Sequence, residues 1–267
     1  MECTQGESRL SSISIENLTA GYRSDVVISD VTFSANSPSL IQVIGPNGAG
    51  KTTLLKAIAG LIKPFSGRVF ISRVDVTGDP GKAGKYVGYV PQVHSLNSSY
   101  KHPITPWELL ESTLYISNRS LRSMDKGGLL RRVEMSLESV GLPRSLWSKP
   151  LWSLSSGQVQ RTVIARALLN NPIVLLLDEP LASIDPKGRF DIARLIAELK
   201  SDKVVLVASH DPLILQPYTD YVLLINRSRY VFGKPSEVLR EEVLRKFYYS
   251  EAIVSLKEYV HISDYHA

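Results

Sequence analysis

The sequence is poor in cysteine and has no long apolar run, and both absences limit what the protein can be. Cys3 is the only cysteine among 267 residues. No disulfide can therefore form within one chain, which fits a reducing compartment. No apolar stretch approaches the roughly 20 residues that a membrane-spanning helix needs. Any membrane role is thus expected to depend on a partner. The polar, partly acidic start does not resemble a signal peptide.

The sequence also lacks internal repeats, low-complexity segments and strongly clustered charge. The net charge is +5, and its basic residues are scattered. One loose group is formed by Arg119, Arg122, Lys126, Arg131 and Arg132. Scattered basic residues are typical of a solvated surface rather than a nucleic-acid interface. We therefore expect no nucleic-acid partner.

A glycine-rich loop between a strand and a helix is the most informative stretch of the sequence. An apolar run at 40–44 leads into this loop, and a segment with helical spacing at 54–60 follows it. The loop itself reads Gly45-Pro46-Asn47-Gly48-Ala49-Gly50-Lys51-Thr52-Thr53. The pattern and its context are those of a P-loop, or Walker A motif, whose backbone N–H groups cradle phosphates.

The residue types of this loop predict separate tasks. Glycine has no Cβ, so Gly45, Gly48 and Gly50 are expected to reach positive φ and turn N–H groups inward. Lys51 supplies a point charge for the β and γ phosphates of a nucleotide. The hydroxyl of Thr52 is a candidate ligand for Mg²⁺. The loop thus predicts a binding site for a nucleoside triphosphate.

Two adjacent carboxylates, Asp178 and Glu179, follow the continuous apolar run at 173–177. Such a run is typical of a central parallel strand that is buried on both faces. Ligands of open α/β sheets bind where such strands end. Asp178 is predicted to hold Mg²⁺ through water, and Glu179 to polarise the attacking water as a general base. Together with the P-loop this is a Walker B motif with an additional acid.

Hydrophobic periodicity predicts an α/β core interrupted by a helical segment. Strands are predicted at 13–18, 26–33, 40–44, 68–71, within 86–92 up to its proline, and at 173–177, 204–208, 221–225 and 230–232. Helices are predicted at 54–60, 106–115, 129–140, 157–169, 187–199 and 236–247, and loops at 20–25 and 74–85. Thr105 is a fitting N-cap before Pro106.

From this pattern we divide the chain into a flexible tail, a core in two parts, an insertion and a second tail. The tail is 1–11, the core is 12–92 with 151–250, the inserted helical subdomain is 93–150, and the C-terminal tail is 251–267.

A further stretch carries a resemblance to a known family. Leu154-Ser155-Ser156-Gly157-Gln158, followed by Val159-Gln160-Arg161, resembles the signature motif of ABC ATPases. Other positions of this family's pattern are also matched, over about residues 11 to 250. They are Tyr22 (adenine-stacking A-loop), Gln92 (Q-loop), Ser183-Ile184-Asp185 (D-loop) and His210 (switch histidine). The resemblance implies an α/β P-loop NTPase core with an antiparallel β subdomain and an inserted helical subdomain.

The resemblance also implies a mechanism that uses ATP and Mg²⁺. Tyr22, the P-loop and Gln92 would bind ATP, and Thr52, Gln92 and Asp178 would hold the metal. Lys51, Glu179 and His210 would be catalytic. Ser155, Ser156, Gly157 and Gln158, with Asp185 nearby, would face ATP on a partner subunit in a homodimer or pseudo-symmetric dimer. Ser156 stands where the family usually has glycine, which predicts strain and reduced activity if that position needs positive φ.

The family resemblance implies a transporter subunit, with alternatives left open. Such an ATPase would lie at the cytoplasmic face of the cell membrane, bound to a permease, and an importer would add a solute-binding protein. Residues 93–97 and 102–110 are similar to ATPases of zinc and manganese uptake. Iron-chelate or cobalamin uptake is an alternative substrate class. A soluble ABC ATPase, such as one for Fe–S cluster assembly, and a regulator without hydrolysis are alternatives of other classes.

Overall fold

The computed structural model describes residues 12–92, 104–117, 126–210, 212–248, 253–256 and 259–262. The predicted tail 1–11, residues 93–103 of the inserted segment and part of the predicted C-terminal tail lie outside these residues. Arg119 and Arg122 of the basic group also lie outside them. In the part of the chain that is described, no helix is long and apolar enough to cross a membrane.

A six-stranded, mostly parallel sheet forms the centre of the molecule. From one edge to the other its strands are β10 (Arg229–Gly233), β9 (Tyr221–Asn226), β3 (Ser39–Ile44), β8 (Val204–Ser209), β7 (Val174–Asp178) and β6 (Val87–Val90). Only the edge strand β10 runs antiparallel to its neighbour. Every residue of β3, β7 and β8 is buried, as expected for parallel strands covered on both faces. The predicted central strands are thereby confirmed.

Helices cover the two faces of this sheet. On one face lies α1 (Lys51–Ile58), whose Leu54 and Leu55 pack in a core with alternate residues of β3, β7 and β8. On the other face lie α5 (Ser156–Leu168) and α6 (Pro186–Leu199), in a second core with the intervening strand residues. Side chains alternate across a strand, so the same strands supply both cores.

A four-stranded antiparallel sheet packs on the first of these cores. Its order is β2 (Asp25–Ala35), β1 (Ile13–Tyr22), β4 (Ser66–Ile71) and β5 (Val74–Asp75). The backbone N–H of Thr32 donates to the hydroxyl of Tyr230, which joins β2 to β10 of the central sheet over 3.1 Å.

The inserted segment is helical where the structure describes it. It contains α3 (Pro106–Ser117) and α4 (Lys126–Ser139), followed by two short 3₁₀ turns at Arg144–Leu146 and Leu151–Ser153. Apolar residues of α3 and α4 join those of α5 in the second core. Helix α5, which begins with the signature stretch, therefore packs between this helical layer and the central sheet.

Three predicted segments are wrong in part. The predicted loop at 74–85 contains β5 and a four-residue helix α2 (Pro80–Ala83), which the Asp79 side chain caps by accepting from Lys82 N–H. The predicted turn at 20–25 is shorter, because β1 continues to Tyr22 and Arg23 turns the chain at φ 54°.

The third error is the single helix predicted at 236–247. The structure has two short helices there, α7 (Pro235–Val238) and α8 (Glu241–Leu244). Between them Arg240 is extended, with ψ 143°. Within the predicted C-terminal tail, β11 (Ile253–Leu256) and β12 (Tyr259–Ile262) form an antiparallel pair.

Candidate active site

The P-loop spans the gap between β3 and α1, as the sequence predicts. Gly48 and Gly50 have positive φ, at 76° and 103°. Gly45 does not, so the predicted reason for its being glycine is wrong. It is limited by space instead, because a Cβ at Gly45 would stand 2.1 Å from the carbonyl oxygen of Ile225. The loop can thus lie directly against the end of β9.

Lys51 is buried and turned back toward the loop that precedes it. Its Nζ donates to the carbonyl oxygens of Gly45 and Pro46, at 2.7 and 3.3 Å. The Oε1 atom of Glu179 lies 3.9 Å from the same Nζ. The ammonium group is therefore held by the loop itself, at the place where phosphate oxygens would be expected from the motif.

Thr52 and Asp178, the two predicted Mg²⁺ ligands nearest the P-loop helix, meet at the end of β7. The Thr52 hydroxyl donates to Asp178 Oδ1 over 3.1 Å, and Asp178 is 3% exposed. Burial raises the pKa of the Asp178 carboxyl. An alcohol and a carboxylate are hard oxygen donors of the type that Mg²⁺ prefers. The donor set present thus fits this metal.

Tyr89 on β6 was not singled out in the sequence as a site residue. Its hydroxyl lies 3.5 Å from Asp178 Oδ2, whereas Thr52 donates to the other carboxylate oxygen, Oδ1. Burial, and then the charge of Asp178, raises the pKa of the Tyr89 hydroxyl, which keeps it a proton donor. Only the parallel pairing of β6 with β7 brings these residues together.

Glu179 and His210 form the second pair of the site. The Nδ1 atom of His210 lies 2.9 Å from Glu179 Oε2. Glu179 has φ 48°, and its backbone N–H donates to the carbonyl of Ala208 over 2.9 Å. A positive φ in a residue with a side chain is a strained conformation that is often found at functional sites. It aims Glu179 away from the buried strand and toward the P-loop.

One cavity of about 720 Å³ gathers most of the predicted residues. It is lined by Tyr22, Val27, Asn47, Gly48, Ala49, Gly50, Lys51, Thr52, Thr53, Gln92, Glu179 and His210. Val27 is an addition, since the sequence gives no sign that this β2 residue faces the loop. An aromatic wall, a phosphate cradle and a carboxylate–imidazole pair therefore share one space.

The signature residues lie elsewhere, in a separate cavity of about 260 Å³. Ser155 caps α5 in a reciprocal pair with Gln158: each side chain accepts from the backbone N–H of the other residue, at 3.3 and 3.0 Å. Asp185 caps α6 and lines the same cavity with Ser155, Gly157 and Gln158. Within one chain the signature and P-loop residues therefore line different spaces.

Ser156 shows no backbone strain. It is the first residue of α5 and is not among the residues with positive φ. Reduced activity was predicted only if this position needs positive φ. In the single chain it does not, so this reason for reduced activity does not apply.

The family model for ABC transporters matches residues 28–182, which is more than half of the chain. The chain belongs to the ABC transporter family. As a member of this family, it is an ATP-binding and ATP-hydrolysing transporter subunit, and its fold is that of an ABC ATPase.

Two curated ABC relatives align with nearly the whole chain. The zinc import ATP-binding protein ZnuC of Saccharophagus degradans is 31% identical, over 94% of this chain and 90% of the relative. The manganese transport system ATP-binding protein MntB of Bacillus subtilis is 33% identical, over 88% of this chain and 92% of the relative.

A solved ABC cassette has the same fold. The dimeric ATP-binding cassette MJ0796, in a post-hydrolysis state bound to ADP and Pi, superposes with a TM-score of 0.70 and 26% identity. The match covers 83% of this chain and 98% of that cassette.

Proposed function

We propose that this ABC ATPase powers the import of a divalent metal ion, zinc or manganese, as one of two ATPase subunits beneath a membrane permease. The observation that supports it is the single cavity in which the P-loop, Glu179 and His210 meet. The cargo is inferred from the zinc and manganese relatives that align with most of the chain. These relatives favour transport over soluble Fe–S cluster assembly, and metal ions over cobalamin.

ATP occupies the 720 Å³ cavity in this proposal. Exposed Tyr22 stacks on the adenine, an interaction worth about 1–3 kcal/mol that any base can make. The N–H groups of 45–53 hold the phosphates, and Lys51 exchanges its carbonyl partners for phosphate oxygens. Thr52, Asp178 and Gln92 would hold Mg²⁺, and a bound Mg²⁺ would neutralise negative charge on the phosphates.

Glu179 accepts the proton of the attacking water in this proposal. His210, 2.9 Å from the Glu179 carboxylate, holds that group in place and senses the γ-phosphate. Removing a general base typically costs about 10²–10⁴ in rate. The positive φ of Glu179 and its bond to His210 direct the carboxylate toward the P-loop before ATP arrives, which limits its reorganisation.

The second half of each site is supplied by another copy of the chain. Ser155 to Gln158 begin α5, where the reciprocal cap leaves the N–H groups of Ser156 and Gly157 and the helix dipole to favour an anion. In a two-fold dimer they contact the γ-phosphate on the partner's P-loop, and Asp185 lies beside them. Support comes from the separate cavities of signature and P-loop in one chain and from the dimeric state of the MJ0796 cassette.

In this proposal the core consists of 12–92 with 151–250, and the permease contacts the inserted helical subdomain at 93–150. This contact holds the protein at the cytoplasmic face of the membrane. A solute-binding protein delivers the metal ion to the permease from the other side.

The catalytic part of the proposal is tested with Glu179→Gln. A glutamine cannot accept the proton, so ATP should persist between two chains. We expect a stable dimer in Mg²⁺–ATP and a monomer in ADP, measured by light scattering after gel filtration. Lys51→Ala in the same background should abolish the ATP-dependent dimer. A Glu179→Gln protein that neither dimerises with ATP nor loses turnover contradicts the assignment.

The cargo is tested in cells that lack this protein. Uptake of radioactive zinc and manganese should fall and should be restored by the wild-type chain but not by Glu179→Gln. Radiolabelled ferric chelate serves as the control substrate. Loss of ferric-chelate uptake alone would contradict the proposed cargo while leaving the ATPase assignment intact.

A further inference from the structure

A buried glutamine occupies the middle of the strand that leads to the P-loop. Gln42 lies on β3 between Leu40 and Ile44 on the same face and is 1% exposed. The strand is otherwise apolar from Leu40 to Ile44. Removing an amide from water is unfavourable unless it gains hydrogen bonds. The partners of Gln42 therefore indicate why an amide is tolerated there.

The Nε2 atom of Gln42 has two partners, both beyond the end of β8. It donates to the carbonyl of Pro212 over 3.1 Å and to the hydroxyl of Thr219 over 2.6 Å. A carbonyl can only accept, so the nitrogen of the amide must face Pro212. The Thr219 hydroxyl donates onward to the carbonyl of Leu215 over 2.8 Å. Donors and acceptors thus run in one direction along the chain of bonds.

The amide oxygen of Gln42 makes no hydrogen bond within the described part of the chain that would offset its burial. Oε1 of Gln42 is buried and has no hydrogen-bond partner among the described residues. An unbranched apolar side chain of similar length, such as methionine, would avoid that loss of hydration. The two bonds from Nε2 are therefore what this position contributes that an apolar residue could not.

The segment held by Gln42 begins two residues after the switch histidine. His210 directly follows Ser209, the last residue of β8, which pairs with Ile44. Upstream, His210 is thus fixed by the pairing of β8 with β3. Downstream, the bond from Gln42 to Pro212 fixes the chain to the same strand.

The far end of this segment is also tied to β3. The backbone N–H of Leu40 donates to Asp220 Oδ2 over 2.7 Å, and the N–H of Asp220 donates to the carbonyl of Leu40 over 2.9 Å. Lys200 donates to the same Asp220 oxygen over 2.9 Å. Residues 212 to 220 are therefore anchored at both ends, and Gln42 makes the anchor nearer to His210.

We propose that Gln42 is a positioning residue that fixes residues 212–220, the switch segment, to the P-loop strand, so that His210 stays within reach of Glu179. It acts through His210 and contacts neither the nucleotide nor the attacking water. This inference rests on the catalytic role given to His210 under the proposed function.

A double-mutant cycle tests the inference. ATPase rates are measured at saturating Mg²⁺–ATP for the wild type, Gln42→Met, His210→Ala and the double variant. If Gln42 acts only through His210, the two effects are strongly non-additive. We expect Gln42→Met to lower kcat about 5- to 30-fold with KM for ATP within about twofold, and to lower kcat by less than about twofold in the His210→Ala background.

Val222→Ala is the matched control for lost stability. Val222 is fully buried on β9 and pairs directly with Gln42 in the sheet. Its truncation should lower the melting temperature while kcat stays within about twofold, because packing is lost but no bond to the switch segment is broken. Thr219→Val is a milder test, since it leaves the bond from Gln42 to Pro212. It should lower kcat by less than Gln42→Met.

A second measurement does not depend on turnover. The ¹⁵N resonances of the His210 imidazole are recorded without nucleotide in the wild type, Gln42→Met, Thr219→Val and Val222→Ala. Loosening the switch segment should shift the Nδ1 signal in the first two variants and not in the third. If Gln42→Met does not fold, Thr219→Val provides the test by both readouts.

Either of two results overturns the inference. One is an equal fall in kcat from Gln42→Met with and without His210. The other is a folded Gln42→Met with unchanged kcat and an unchanged His210 signal. If His210→Ala itself leaves kcat unchanged, the catalytic role of His210 fails. The resonance shift alone then decides whether Gln42 positions this histidine.

Discussion

The three glycines of the P-loop are required for different physical reasons. Gly48 has φ 76°, and in the described residues no atom lies within 4 Å of where its Cβ would stand. Gly45 has an ordinary φ but presses on the backbone of Ile225. Gly50 combines both, with φ 103° and a side-chain atom of Ile28 at 2.4 Å from a built Cβ. The sequence pattern cannot separate these cases, because all three read as glycine.

Alanine substitutions separate the steric reason from the conformational one. Gly45→Ala must push the loop away from β9, because the atom it meets is backbone, and we expect a loss of about 2–3 kcal/mol in the free energy of unfolding. Gly48→Ala has room and loses only about 1 kcal/mol for its left-handed φ. Urea unfolding without nucleotide measures both. Equal or reversed losses would contradict the distinction.

Local signals predicted the start of α3 correctly. Thr105 and Pro106 were predicted to start a helix, and α3 begins at Pro106. The Thr105 hydroxyl accepts from the N–H of Glu108 over 3.2 Å, and Glu108 in turn accepts from the N–H and hydroxyl of Thr105 at 2.9 Å each. Such reciprocal caps depend on residues three apart, so the sequence contains the whole arrangement.

This cap makes part of the stability of α3 depend on pH. Bonds from the Thr105 N–H and hydroxyl lower the pKa of Glu108 below its ordinary value of 4.5. A lowered pKa means that the carboxylate stabilises the fold fully above the ordinary value and less as pH falls through the folded value. Melting temperatures of the wild type and Glu108→Gln should therefore differ by a constant amount from about pH 6 to 8 and converge below about pH 4.5.

The control for this titration removes a neighbouring charge without touching the cap. Glu111→Gln lies one turn further along α3 and is measured across the same pH range as the control for loss of a carboxylate from this helix. A Glu108→Gln variant that runs parallel to the wild type down to about pH 3 would show that the cap does not titrate with folding.

Elements whose form depends on distant contacts were predicted less well. Residues 236–247 have helical spacing and no internal proline or glycine, yet the chain forms two short helices. Val238, Leu244 and Phe247 pack together against Val222 and Leu224 of β9, which favours the break over a continuous helix. Tyr89 and Val27 were missed for a related reason: the pairing of strands, not local sequence, brings each of them to the site.

At the scale of the whole molecule, the predicted site residues are divided between two cavities of the single chain. The P-loop, Glu179 and His210 line one space, and Ser155, Gly157 and Asp185 line another. Apart from its chain neighbours and the backbone of its own helix, no atom of the described residues lies within 4 Å of a Cβ built at Gly157. The open space beside Gly157 is where the proposed dimer places the partner's γ-phosphate.

Gly157→Ala should therefore separate folding from assembly. Alanine is more favourable than glycine in a helix by up to about 1 kcal/mol, so the single chain should be at least as stable as the wild type. The added methyl group occupies the space that a phosphate needs, so the Glu179→Gln dimer in Mg²⁺–ATP should be lost. Light scattering and thermal unfolding on the same samples measure the two effects. A dimer that persists would mean that α5 does not face the nucleotide.

The fluorescence of Trp152 is a second way to detect dimer formation. It is 60% exposed and lies three residues before Ser155, whereas Trp147 is buried and stacks on Trp107 at 6.0 Å. A partner chain that covers the signature surface would also change the surroundings of Trp152. We expect Mg²⁺–ATP to change tryptophan fluorescence in Glu179→Gln, and ADP to leave it unaltered. The change should vanish when Trp152→Phe or Gly157→Ala is added.

If the fluorescence change survives in the Trp152→Phe protein, the signal arises from Trp107 or Trp147 and reports a rearrangement within the helical layer. If no change accompanies a dimer seen by light scattering, the two chains meet through a surface that leaves Trp152 in water.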